Sequence, residues 1–196
     1  TSATLSSEMA EECARFDIPV ILFNRYVLGT HASAVCCDNV EGGRQVANLF
    51  LDTGHQRLAY IAGRVNTSTN SDREKGFTDR LRERGVTDWL REQAAFTYDT
   101  GYAAAVRLLS RPDRPDAIFC GSDNMAVATI DAARSEFGLR IPDDLSVVGF
   151  DDIPMAGWPS YRLTTIRQEV EQMIDAYPHQ LSGGQRQRVM IAAALV

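Results

Sequence analysis

"IFCGSDNMAVATIDAARSEFGLRIPDDLSVVGFDD", residues 118–152, carries the fold of this chain in one stretch. Its opening belongs to the apolar run "DAIFCG" (116–121), which is short, rich in β-branched and aromatic residues, and closed by Gly121. From Ser122 the apolar residues Met125, Ala128, Ile130 and Phe137 recur until Gly138, which predicts a helix. A second apolar run, "LSVVGF" (145–150), follows the turn signal at Pro142. Strand, helix and strand in that order form a βαβ unit. Continuous rather than alternating hydrophobicity marks strands covered on both faces, as in a parallel sheet.

The same alternation extends outward. "IPVILF" (18–23) and "RLAYIAG" (57–63) are further apolar runs of strand length. A helix is predicted from Ser71, where Ser71 and Glu74 have the spacing of a capping box, through Phe77 and Leu81 to Gly85. Another is predicted from Thr100, with Tyr102, Val106 and Leu109 on one side, ending before Pro112. No fixed-period repeat or low-complexity linker interrupts the series. The expected class is α/β, with a doubly wound parallel sheet.

At 196 residues and 44% hydrophobic content the chain is long enough for one domain, or one and a fraction, around its own core. A net charge of −6 argues against a chain that coats nucleic acid by itself, because duplex binding rests on Lys and Arg neutralising phosphates. Cys13, Cys36, Cys37 and Cys120 have no metal-type spacing, and two of them are adjacent. That pattern suits reduced thiols and a cytoplasmic setting better than a disulfide framework. No apolar run reaches the ~18 residues of a membrane span, and Thr1 opens without a secretory start. The chain begins without Met, which leaves room for a leader or a domain ahead of Thr1.

Enzyme signatures are scarce. The sequence contains no G-x-x-x-x-G-K-[ST], G-x-G-x-x-G, G-x-S-x-G or H-E-x-x-H. His31, His55 and His179 are far apart and read as single surface or turn histidines. A non-enzymatic protein is expected, with no catalytic residues, no cofactor and no metal. Asp151 and Asp152 are adjacent, and neighbours at a strand end point to opposite sides, so they do not by themselves make an acid/base pair. Their place matters more: ligands of open α/β sheets sit beyond the carboxyl ends of strands, and Asp151 follows "SVVGF".

The segments "DIPVILFNR", "CDNVEGGRQVANLFLDTGHQRLAYIAG", "SDREKGF", the stretch quoted first, and "LTTIRQ" fall in an order that resembles the effector-sensing core of the lactose-repressor (LacI/GalR) family. The resemblance covers residues 16–168 and fades at Tyr177. It implies a type I periplasmic-binding-protein-like fold, two α/β lobes hinged around a small molecule, with the second lobe complete and the first partial. On that pattern residues 1–39 are part of the first lobe, 40–167 the second, and 168–176 the return segment. The family's helix-turn-helix and hinge helix have no counterpart after Thr1, so contact with DNA would come only through a missing N-terminal domain.

The resemblance implies effector contacts at Arg25, Thr67, Thr69, Arg73, Tyr98, Ser122, Asp151 and Gln168, with Asp123 capping a helix. Asn24 stands where the family usually has Asp, which weakens a charged contact at that position. Arg73 is the family's frequent ligand arginine, whose planar fork can grip two oxygens. The group suggests a sugar or a related polar metabolite such as a purine. A dimer contact is implied at Val127 and Trp158, and no membrane partner is.

"YPHQLSGGQRQRVMIAAALV" (177–196) is similar instead to the signature region of peptide-transporter ATPases. The P-loop and magnesium-binding strand of such enzymes are absent, so this tail is expected to carry no function. The sequence thus points to an effector-sensing regulator core. The alternatives are a periplasmic sugar-binding receptor of a transporter and, more remotely, a transporter ATPase fragment.

Overall fold

The computed structural model describes residues 12–13, 15–16, 21–27 and 33–168. The tail at 177–196, His31 and His179 lie outside them. The described residues fall into two compact units, one containing the described residues up to Asp38 together with Asn66–Thr69, the other Asn39–Val65 and Asn70–Gln168.

In the first unit, β1 (Ile21–Phe23) pairs in parallel with β2 (Ser33–Val35), Ile21 lying opposite Ser33 and Phe23 opposite Val35. Asn24 leaves β1 with φ 61°, a left-handed conformation that asparagine tolerates better than most residues. Its N–H donates to the Val35 carbonyl at 2.8 Å.

The second unit is a five-stranded, wholly parallel sheet in the order β4-β3-β5-β6-β7. Its strands are β3 (Leu58–Ala62), β4 (Leu90–Gln93), β5 (Ala117–Cys120), β6 (Ser146–Asp151) and β7 (Thr164–Arg167). Four helices complete it: α1 (Asn39–Asp52), α2 (Ser68–Glu83), α3 (Tyr98–Leu109) and α4 (Asp123–Phe137). Every residue of β3 and β5 is buried, as their continuous hydrophobicity requires. Alternate side chains feed two cores. Tyr60, Phe119 and Phe150 meet Val46 and Phe50 of α1 and Phe77 of α2 on one face. Ile61 and Ile118 meet Leu108 of α3 and Met125 and Ile130 of α4 on the other. Each such large apolar side chain contributes on the order of 1.5–3 kcal/mol by leaving water. Helices on both faces of a parallel sheet are the expected α/β class.

The helix from Ser122 to Gly138 forms as expected, with Gly138 closing it at φ 61° in the left-handed region. Three details differ from expectation. Helix α2 begins at Ser68 rather than Ser71, and no capping box forms because Glu74 turns to Arg91 of β4, at 2.5 and 3.0 Å. Thr97, not Thr100, caps α3, its hydroxyl accepting the Thr100 N–H, while Thr100 turns its own hydroxyl to the Ala95 N–H. Asp123 does not cap α4: Ser122 holds the cap position, and Asp123, fully buried, turns to β7 and the loop after β6 instead. Val127 also departs from its expected surface role. It is 2% exposed within the α3/α4 core and has no surface to offer a partner, whereas Trp158 is 52% exposed.

Strand order reverses around β3, whose neighbours β4 and β5 leave it in opposite directions. The carboxyl ends of β3 and β5 therefore flank a topological switch point, where the loops diverge and leave a crevice.

Candidate functional site

Arg73 stands at that switch point. Its guanidinium comes from the second turn of α2, and its side chain is 3% exposed. Nε donates to Asn39 Oδ1 at 2.9 Å, Nη1 to the Gly121 carbonyl at 2.6 Å, and Nη2 lies 3.0 Å from Asp151 Oδ1. The flat face lies 3.7 Å from the Phe150 ring centroid. A buried charge is tolerated when its donors are matched in this way, and the planar fork holds its direction. The approach of α1 to α2 makes the arrangement fit: a Cβ on Gly76 would stand 1.9 Å from the Val40 carbonyl oxygen, and one on Gly43 2.2 Å from that of Arg73. Only glycine at the crossing lets Asn39, at the head of α1, reach Arg73.

Asp151 ends β6 with φ 119°, far outside the strand region, and Asp152 follows with φ 54°. This double turn sends the two carboxylates apart. Asp151 meets Arg73 and accepts from the Gln168 side-chain amide, while Asp152 pairs with Arg167 at 2.5 Å. Backbone strain of this kind costs about 1–3 kcal/mol and persists where surrounding bonds over-determine it. Burial raises the Asp151 pKa above the usual carboxylate range, opposed by the Arg73 charge.

Beneath this pair Asp123 accepts the Thr165 hydroxyl at 2.6 Å and the Ile153 N–H at 2.9 Å, tying α4 to β7 and to the loop after β6. Its pKa is raised, chiefly by burial. Next to it, Ser122 is 3% exposed, and its hydroxyl makes no hydrogen bond among the described residues. A buried hydroxyl without a partner costs about 1–3 kcal/mol. It lies just beyond the carboxyl end of β5, beside the Gly121 carbonyl that holds Arg73.

Arg73, Ser122, Asp151 and Gln168 are thus brought to one end of one sheet. Tyr98 is engaged elsewhere: its hydroxyl donates to Asp131 of α4 at 2.9 Å, and its ring lies 6.1 Å from that of Tyr102. Arg25, Thr67 and Thr69 belong to the first unit, in which the Tyr26 N–H donates to Ser68 Oγ at 3.0 Å. Thr67 and Thr69 are 1% and 3% exposed. Asn39, Gly121 and Phe150, which fix Arg73, and Asn70, which accepts the Gly63 N–H at 2.6 Å, escape sequence reasoning because their roles come from tertiary contacts. His55 packs edge-on against Phe50 and lies 3.8 Å from Asp116, as a turn histidine.

A cavity of about 560 Å³ lies at the other end of the sheet, lined by Phe50, Arg134, Ser146, Tyr161 and Thr164 among others. It faces the amino ends of β6 and β7, away from Asp151 and Gln168. The polar cluster at the carboxyl ends is the better candidate, because it combines matched charges, an unpartnered hydroxyl and the switch point. Among the described residues no group of His, Cys, Asp and Glu is placed to hold a metal, and no helix is long and apolar enough to cross a membrane.

Residues 47–181 match the family described as periplasmic binding protein-like domain. The chain is 36% identical over 156 residues to the HTH-type transcriptional regulator GalS of Salmonella typhimurium, covering 79% of this chain and 46% of that protein. Among solved structures, it superposes with a TM-score of 0.82 and 30% identity on the transcriptional regulator CelR–cellobiose complex, over 96% of this chain and 55% of that one. A regulatory protein of LacI family from Chloroflexus aggregans superposes with a TM-score of 0.80 at 26% identity, over 99% of this chain and 66% of that one. The chain spans about half the length of the curated relatives it matches. Sequence match, parallel architecture and the polar cluster at the strand ends agree: the chain belongs to the periplasmic binding protein-like family, in the form found in LacI-type transcriptional regulators.

Proposed function

We propose that this chain is the effector-sensing core of a LacI-type transcriptional regulator, taking a sugar or a related polar metabolite at the carboxyl ends of β3, β5 and β6. The observation that carries the reading is the juxtaposition of a rigidly held Arg73–Asp151 pair with the unpartnered, buried hydroxyl of Ser122. A hydroxyl-bearing ligand can accept from Ser122 and exchange hydrogen bonds with Asp151 and Gln168, while Arg73 keeps Asp151 in place. Charged hydrogen bonds of this kind contribute about 1.5–3 kcal/mol each when water is excluded. The CelR relative, solved with cellobiose, supports a sugar as the ligand class.

The role is binding without catalysis, in a cytoplasmic parent that dimerises and meets DNA through a separate N-terminal domain. A net charge of −6 fits a sensor that leaves DNA contact to another segment. Residues 177–196 have no part in the reading, and the chain incubated with ATP should release no phosphate above a blank. The direct test is calorimetry on the intact parent with a panel of sugars and nucleobases. Asp151→Asn and Arg73→Ala should each weaken the best ligand at least about tenfold, or ~1.4 kcal/mol. Unchanged affinity in both variants would move the pocket elsewhere.

A further inference from the structure

Cys36 and Cys37 are consecutive, and the functional reading leaves both unused. They lie between the end of β2 at Val35 and the start of α1 at Asn39, in a connector that is neither strand nor helix. Both are half-buried, and neither is in a disulfide. In a pleated strand successive side chains would point to opposite faces, and the thiols could not converge. Outside the strand that constraint is lifted. Their Cα atoms are about 3.8 Å apart across one trans peptide, so rotation about the two Cα–Cβ bonds can bring both sulfurs to a shared centre.

We propose that Cys36 and Cys37 form a chelating dithiol site for a single soft, thiophilic centre that is satisfied by two thiolates. The remaining cysteines differ in kind. Cys120 is fully buried, lies 3.3 Å from the Thr129 hydroxyl, and has its thiol pKa pushed up to about 12 by burial, which leaves it unreactive. Cys13 is half-buried and has no neighbouring cysteine in the sequence. The coordination chemistry also selects the occupant. Zinc takes four ligands in structural sites and three protein ligands in catalytic ones. Among the described residues, no group of three His, Cys, Asp or Glu is placed to supply them. A trivalent organoarsenical needs only two sulfurs.

With phenylarsine oxide the step balances without any redox partner. Both S–H bonds and the arsenic–oxygen bond break, two arsenic–sulfur bonds form, and the two protons leave with the oxygen as one water, arsenic remaining trivalent. Once the first sulfur is attached, the second attacks within the same molecule at high effective concentration. The adduct therefore resists displacement by a monothiol and yields to a dithiol.

The test is intact-mass spectrometry of the whole chain, treated with one equivalent of phenylarsine oxide in excess 2-mercaptoethanol. One adduct is expected, removed by 2,3-dimercaptopropanol. It should be lost in Cys36→Ser and in Cys37→Ser, and kept in Cys13→Ser and Cys120→Ser. In each of the first two variants the remaining thiol should still react with iodoacetamide in the folded chain, confirmed by circular dichroism, so that loss of the adduct reports a missing partner rather than a closed site. An adduct that persists in either single variant, no adduct on the unaltered chain, or connector thiols that iodoacetamide cannot reach would each overturn the proposal.

Discussion

Ser122 and Asp123 are neighbours with opposite fates, and each makes a prediction at the scale of one side chain. Ser122 holds the cap position of α4 without a capping bond, and its buried hydroxyl is unpartnered. An ordinary Ser→Ala change at a helix cap costs about 0.5–2 kcal/mol. Here there is no cap bond to lose, so Ser122→Ala should leave the urea midpoint of the chain unchanged or raised while weakening effector binding in the parent. A fall of about 1 kcal/mol in stability would show that the hydroxyl is already bonded. Asp123 carries a pKa raised chiefly by burial, with Asp152 adding repulsion. A carboxyl whose folded pKa exceeds its unfolded pKa holds its proton more tightly when folded. Its stabilising share is thus complete below the unfolded value near pH ~4 and is lost as pH rises through the folded value. Between about pH 4 and pH 7, the unfolding free energy of the unaltered chain should therefore fall relative to that of Asp123→Asn. Parallel pH profiles of the two would remove the assignment.

At the scale of elements, two glycines separate two physical demands. Gly138 closes α4 at φ 61° with nothing within 4 Å of where a Cβ would stand, so its requirement is conformational. Gly138→Ala should cost about 1–2 kcal/mol, the ordinary penalty of a left-handed alanine. Gly76 has ordinary helical geometry, yet its Cβ would stand 1.9 Å from the Val40 carbonyl of α1. There the helices must separate. Gly76→Ala should cost more than Gly138→Ala, toward or beyond the ~3 kcal/mol end of overpacking changes. It should also loosen Asn39 from Arg73, because the same crossing holds that bond. Denaturant unfolding of the two variants ranks them, and equal costs would show that α1 and α2 yield freely at their crossing.

For the whole molecule, the outstanding question is association. Trp158 remains half-exposed beside the short 3₁₀ turn Pro154–Gly157, while Val127 is withdrawn into the core. A large exposed aromatic fits a contact surface better than a solvent face. The parent's proposed dimer should weaken on Trp158→Ser, seen by sedimentation velocity as a shift toward monomer at low micromolar concentration. Val127→Ala should instead lower stability through a cavity and leave association alone. Dimers unchanged by Trp158→Ser would place the interface elsewhere.

The sequence by itself determined the class of fold. Continuous apolar runs such as "IFC" and "SVVGF" have one stable solution, strands covered on both faces, and glycine at 138 stops a helix whatever surrounds it, because both effects act within a few residues of chain. β4 and β7 were not legible. "LREQ" and "TTIR" lie at the sheet edges, half in water, and become strands only because β3 and β6 offer them a ladder. Arg73, Asp151, Ser122 and Gln168 could be named from their resemblance to a family, but their meeting could not be read along the chain. The Arg73 side chain is fixed by Asn39, 34 residues earlier, and by the Gly121 carbonyl, 48 residues later. The same distance defeats any sequence reading of Val127 as surface, since which side of a helix faces the core is decided by the neighbour packed against it. Only the tertiary structure decided these, because a buried charge or hydroxyl takes its role from whichever partners the fold brings within about 3 Å.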